Sequence, residues 1–237
     1  MTTHMNNDKL RKLYLIDLQE PDTHHGRTNA KVKYINMWAN FETSLADGIT
    51  EPKKIDLMDP NCPTVWVWSD QHFGHQNIIK YTNRPYPNAN MMNQCMEGNY
   101  INVVKPDDVC IFVGDFGFMK EHQLNEILGR LPGYKILIYG NHDMHRSGQV
   151  YDLGFDESHL CMALAVEDHD FQFHLVFTHY PMTNVPTNCQ NVHGHIHDNL
   201  ATHEHTNVCV EHTNYAPRNL KEMLPDIKKR LELYDER

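Results

Sequence analysis

Short continuous apolar runs set the rhythm of this chain. Thr64-Val65-Trp66-Val67-Trp68, Val109-Cys110-Ile111-Phe112-Val113 and Lys135-Ile136-Leu137-Ile138-Tyr139 are largely unbroken rather than alternating. That pattern predicts strands covered on both faces. Between them the spacing predicts helices over Asn88–Val104 and Glu121–Arg130, with turns at Pro106-Asp107-Asp108 and Leu131-Pro132-Gly133. Strand, helix, strand, helix, strand implies parallel pairing with right-handed crossovers, an α/β fold. From Leu160 to Phe177 the rhythm changes to two strands about the polar turn Glu167-Asp168-His169-Asp170, which predicts a hairpin. A strand over Asn207–Val210 and a helix over Leu220–Leu233 follow.

The chain divides near Pro60-Asn61-Cys62-Pro63. Residues 1–60 form an N-terminal extension without a chemical motif, with a strand expected at Lys12–Leu18 and helical spacing over Lys31–Leu45. Its apolar content favours packing on the core over a detachable partner arm. Residues 61–237 form the main domain. No apolar run approaches the ~20 residues needed to span a bilayer, and Met1 to Leu10 lacks the apolar stretch of a secretory signal. A cytoplasmic protein is expected. Lys+Arg of 21 against Asp+Glu of 31 leaves a net charge of −10, which argues against a broad duplex-DNA surface while leaving a local basic groove open. The six cysteines make no C-x-x-C pair, so reduced core thiols are expected rather than a zinc knuckle or disulfide framework.

Eighteen histidines change the picture, because imidazole is the commonest side-chain metal ligand. They do not fall at random. Val65–Trp68 runs into Ser69-Asp70-Gln71-His72, and Val109–Val113 into Gly114-Asp115. Lys135–Tyr139 runs into Gly140-Asn141-His142-Asp143, Leu175–Phe177 into Thr178-His179, and Val192 into His193-Gly194-His195-Ile196-His197. In open α/β sheets, ligands gather at the carboxyl ends of strands. Single copies carry little weight: Asp22-Thr23-His24, Asp143-Met144-His145 and His203-Glu204-His205 have similar patterns without a preceding buried strand. Surface positions without ligation are expected for His203, His205 and His212. Five clusters in series are a different matter. Asp70, His72, Asp115, Asn141, His179, His195 and His197 offer mixed nitrogen and oxygen donors, too many for one tetrahedral zinc and suited to two divalent transition metals sharing a carboxylate.

The series Asp70-x-His72, Gly114-Asp115, Gly140-Asn141-His142-Asp143, His179 and Gly194-His195-x-His197 resembles the calcineurin-like metallophosphoesterases, over about Thr64 to Pro217. The string Ser69-Asp70-Gln71-His72-Phe73-Gly74-His75-Gln76-Asn77-Ile78-Ile79, with Tyr81 and Arg84-Pro85, is similar to a branch of small bacterial and phage phosphoesterases. The resemblance implies a four-layer α/β/β/α sandwich and two divalent metal ions, manganese first, with iron, nickel or zinc as alternatives. It implies Asp70, His72 and His197 on one metal, Asn141, His179 and His195 on the other, and Asp115 bridging. His142 would give a proton to the leaving oxygen or bind a phosphate oxygen, with Asp143 orienting it. It also implies a bacterial or phage-infected host cytoplasm.

The sequence departs from the protein phosphatases of that superfamily. After Asp115 comes Phe116-Gly117-Phe118-Met119-Lys120, without the Asp-Arg-Gly whose arginine grips phosphate. The expected activity is therefore a phosphodiesterase acting on a nucleotide or single-stranded nucleic acid, with a phosphomonoesterase or a non-catalytic scaffold as alternatives. Arg84 is the candidate substitute arginine, since guanidinium matches phosphate geometry, or else an ordinary surface residue. His75 is a second candidate for the substrate side, or a loop-stabilising residue. His193 is either a support for its ligand neighbours or purely structural. Phe116 and Phe118 are either core or a base-stacking wall.

Overall fold

The structure, a computed structural model, describes residues 53–56, 63–145, 147–168 and 171–235. The elements expected at Lys12–Leu18 and Lys31–Leu45 lie outside these residues. The described chain is a mixed α/β fold with two five-stranded sheets.

The first sheet holds β2 (Val65–Trp68), β3 (Val109–Phe112), β4 (Tyr134–Ile138) and β5 (Glu157–His159), all parallel, with the two-residue β10 (Arg218–Asn219) antiparallel at the β2 edge. Their register sets Val67 beside Ile111 and Ile111 beside Ile136. The second sheet runs β1 (Lys53–Asp56), β6 (Cys161–Asp168), β7 (Phe171–Thr178), β8 (Cys189–His193) and β9 (His205–Asn207). Within it β6 and β7 form the expected hairpin, and the remaining pairs are parallel. β1 pairs with β6 from Lys53↔Leu164 to Asp56↔Glu167, so a strand preceding Pro60 closes this sheet's edge.

The unbroken apolar runs of β2–β4 serve two cores. Val65, Val67, Ile111, Val113, Ile136 and Ile138 share a cluster with Leu164, Phe173, Leu175, Phe177 and Val192 of the second sheet. The alternate residues Trp68, Cys110, Phe112 and Leu137 face a second cluster, with Met92, Met96 and Tyr100 of α2 (Ala89–Val103) and Leu124, Ile127 and Leu128 of α3 (Glu121–Arg130). Sheet against sheet on one side and helices on the other is what a period-two strand buried on both faces requires. The Asn88 side chain caps α2 by accepting from Met91 N–H at 2.9 Å. A short α1 spans Ile78–Tyr81, and α4 spans Leu220–Asp235 with Pro225 inside it. Leu220, Met223, Leu224 and Ile227 of α4 join the inter-sheet core. Among the described residues no helix is long and apolar enough to cross a membrane. Cys110 and Cys209 are buried as free thiols, Cys161 and Cys189 are half-buried, and Cys95 is exposed.

Candidate metal centre

Strands β2, β3, β4, β7 and β8 deliver their following loops to one place. The chain must turn sharply there, and it does so on the candidate donors themselves: Asp70 (φ 60°), His72 (51°), Asp115 (55°), His195 (70°) and His197 (50°) are all left-handed. Asp, Asn and His tolerate this region better than other residues with a Cβ. The loops are stitched together by backbone bonds, Asp70 N–H to Gly114 O (3.0 Å), His72 N–H to Asp115 O (3.1 Å) and Gly194 N–H to His179 O (3.0 Å). Two glycines allow the close approach. A Cβ on Gly194 would collide with Ser69 Oγ and the Asp70 carboxylate, and one on Gly140 with the Asp115 carboxylate.

Each carboxylate has one oxygen tied and one oxygen aimed. Asp70 Oδ2 accepts from Ser69 Oγ–H (2.5 Å), His195 N–H (2.9 Å) and Cys209 Sγ–H (3.2 Å). Its Oδ1 has no hydrogen-bond partner and faces His72 Nε2 at 3.7 Å and His197 Nε2 at 3.9 Å. Asp115 Oδ1 accepts from His142 N–H at 2.8 Å, while Oδ2 lies between His72 Nε2 (3.6 Å) and His179 Nε2 (3.4 Å). His179 is held by Nδ1 donating to Val113 O at 2.8 Å, which leaves Nε2 beside Asn141 Oδ1 at 3.2 Å. The His195 ring is 5.2 Å from that of His179. Two donor groups result, Asp70–His72–His197 and Asp70–Asp115–His179, either of which could hold a metal ion. Neither ring nitrogen of the buried His72 has a hydrogen-bond partner. Orphaned nitrogen and oxygen donors converging in a buried pocket fit divalent cations.

The electrostatics point the same way. Burial alone would raise the Asp70 carboxyl, but the neighbouring imidazoles of His179, His72 and His197 hold it well below the usual range. Burial alone would lower His179, yet Asp115 and Asp70 raise it to about 10. The acidic pair thus draws positive charge into the pocket. His195 goes the other way, down to about 4 through burial and the charge of His179, so its ring is neutral, the form that ligates.

Behind the donors lies a supporting layer that the sequence did not reveal. Glu211 Oε1 accepts from His197 Nδ1 at 3.3 Å and from Arg84 Nε at 2.9 Å and Nη2 at 2.8 Å. This carboxylate fixes the ring that faces Asp70, as carboxylates behind metal-bound histidines commonly do. Its signal in sequence was absent, because it is 127 positions from Arg84 and belongs to no motif.

Two expected roles are corrected, Arg84 as a substrate contact and Asp143 as the group orienting His142. Arg84 does not face the pocket: its side chain is buried, spent on Glu211 and on the carbonyls of Asp70 and Gln71, both at 2.8 Å. Burial of a guanidinium demands such full pairing, so Arg84 braces the Asp70–His72 loop. Asp143 is likewise buried, and its oxygens accept backbone N–H groups of Asp115 (2.8 Å), Phe116 (2.9 Å) and Gly140 (2.8 Å), not the His142 ring. Burial and the Asp115 charge raise its carboxyl to about 6, against the pull of those backbone donors.

His142 is half-buried at the pocket's edge, its ring 5.5 Å from His72 and 5.4 Å from Phe118. His75 lies 5.4 Å from His72 on the same side, lowered to about 4 by burial and by neighbouring His72 and His142. Phe116 and Phe118 part company: Phe116 is core, against Phe73, Phe112 and Phe155, while Phe118 is exposed. His193 is buried below the ligands with Nδ1 on Gly194 O. Of the three histidines expected at the surface, His203 and His212 are exposed, but His205 is buried beside Asn191 Oδ1 at 3.2 Å.

No protein-family model matches the chain. It is similar to uncharacterized protein MJ1445 of Methanocaldococcus jannaschii, 32% identical over 177 residues that span 70% of this chain and 92% of that protein. Among solved structures it is similar to the protein of unknown function AQ665 from Aquifex aeolicus, with 26% identity and a TM-score of 0.51 over 69% of this chain and 98% of that one.

Proposed function

We propose that this chain, which belongs to the same family as uncharacterized protein MJ1445, is a dinuclear metal-dependent phosphoesterase acting on a phosphodiester, in a four-layer α/β/β/α sandwich of the calcineurin-like kind. The observation that carries the reading is the pair of aimed oxygens. Asp70 Oδ1 faces His72 and His197, and Asp115 Oδ2 lies between His72 and His179. Asp70, His72 and His197 would hold one cation, His179, His195 and Asn141 the other, with Asp115 shared. Mixed imidazole, carboxylate and amide donors admit manganese, iron, nickel or zinc, and the resemblance puts manganese first. Two such cations would clamp a phosphoryl group and activate water for attack.

The protein's own groups do the rest. Asp70 and Asp115 are held in place through their tied oxygens, so the aimed ones need no reorganisation. His142, whose backbone is fixed by its bond to Asp115, presents its ring at the edge as the donor of a proton to the leaving oxygen. Arg84 is spent elsewhere, and the loop after Asp115 brings no arginine. A dianionic monoester gains more from a gripping guanidinium than a monoanionic diester does, which favours the diester.

The test is hydrolysis of bis-nitrophenyl phosphate against nitrophenyl phosphate by the manganese-loaded chain. Faster diester cleavage is expected. Preference for the monoester would make it a phosphomonoesterase, and no turnover of either ester with two metals bound would leave only the scaffold reading.

A further inference from the structure

Phe118 is 56% exposed, unusual for a phenylalanine whose loop is firmly held. Its backbone N–H bonds to Phe73 O at 2.8 Å, and a Cβ on the preceding Gly117 would collide with Leu124. The ring is therefore fixed rather than loose. One face lies on the His75 ring, centroids 4.6 Å apart and planes 24° from parallel. The His142 ring meets it edge-on at 76°. With His75 stacked on one face and His142 5.4 Å away, more than half of the side chain stays open beside the metal pocket. Tyr81, 73% exposed, stands edge-on to His75 and extends the aromatic surface. Directly after Phe118, Met119, Lys120, Glu121 and His122 line an open cavity of about 560 Å³ with His145 and Tyr151.

We propose that Phe118, backed by His75, is the specificity-determining platform for a nucleobase, so that the phosphodiester cleaved here carries a nucleoside. This rests on the phosphoesterase reading and names its substrate class. A base on a rigid aromatic face needs no hydrogen-bond code, so the platform selects nucleosides without selecting among them.

The experiment compares the affinities of adenosine 5′-monophosphate and ribose 5-phosphate for the manganese-loaded full chain by titration calorimetry. The two carry the same sugar phosphate and differ in the base. Wild type is expected to bind the nucleotide about tenfold more tightly, within the range for base–aromatic stacking. Phe118→Ala should abolish that difference and Phe118→Trp should keep it. Equal affinities in wild type, or a difference that survives Phe118→Ala, would overturn the platform and leave the phosphoesterase reading standing. Failure of wild type to bind either ligand would overturn both.

Discussion

Replacing Glu211 by Gln keeps the side chain's volume and removes its charge. Two groups depend on that charge. Arg84 gives Nε and Nη2 to it at 2.9 and 2.8 Å, and His197 gives Nδ1 at 3.3 Å. The Glu211 carboxyl is lowered despite burial, by His197 and Arg84, so it is ionised where the protein is folded near neutrality. Breaking a buried ion pair from one side costs about 3–5 kcal/mol. Arg84 keeps the carbonyls of Asp70 and Gln71, which argues for the lower value. At about 2–4 °C per kcal/mol for a chain of this size, about 3 kcal/mol is a drop of about 6–12 °C in Tm. Loss of the carboxylate behind His197 should also weaken the Asp70–His72–His197 metal by about 10–100-fold, leaving the other metal nearly unchanged. Scanning calorimetry of the metal-free protein and a manganese titration measure the two effects separately. A Tm within about 2 °C of wild type, with both metal affinities unchanged, would refute this reasoning.

Asp115→Asn should lose both metals, because Asp115 Oδ2 lies 3.6 Å from His72 Nε2 and 3.4 Å from His179 Nε2, one donor of each proposed site; elemental analysis finding two tightly bound metals would refute the bridge. His142→Ala should keep both metals and lose about 10²–10⁴-fold on an alkyl diester, where the leaving oxygen needs a proton, but far less on a nitrophenyl ester. Equal losses would make His142 a phosphate-binding group, and loss of a metal would make it a ligand. Asp143→Ala strands three buried backbone N–H groups and should lower Tm and metal content together; loss of activity with Tm and metals unchanged would instead support an orienting role towards His142.

Much of the fold was legible because it is written in local pattern. The run Val65–Trp68, the helix starting near Asn88 and the bounds of the Glu121–Arg130 helix all follow from residues within a few positions. β8 was not legible in this way. Cys189-Gln190-Asn191-Val192-His193 reads as polar, yet Gln190 and Asn191 are fully buried, because they bond to His203 O, Thr206 Oγ1, Val176 O and Thr178 Oγ1 on neighbouring segments. Partners supplied by tertiary structure make a polar strand permissible in a core. β1 escaped for a related reason, since parallel pairing with β6, more than a hundred residues away, leaves no local trace.

The donor cluster was legible through topology rather than through any single motif. Parallel strands carry their loops to one edge, so repeated Asp, His and Asn at strand ends had to meet. His145 shows the other case: its Asp-x-His spacing is identical, but its ring pairs with Glu121 at the surface. What spacing cannot convey is the restraint on the donors. Five left-handed residues of the donor cluster at about 1 kcal/mol each amount to about 5 kcal/mol, comparable with the whole stability of a small domain. That conformation persists only where the surroundings enforce it. Here the enforcing groups are the Asp143 carboxylate across three backbone N–H groups, the tied oxygen of Asp70, and Arg84 on the carbonyls of Asp70 and Gln71. The bracing charges therefore shape the donor cluster as much as the donors do, because the aimed oxygens of Asp70 and Asp115 point inward only while these bonds hold.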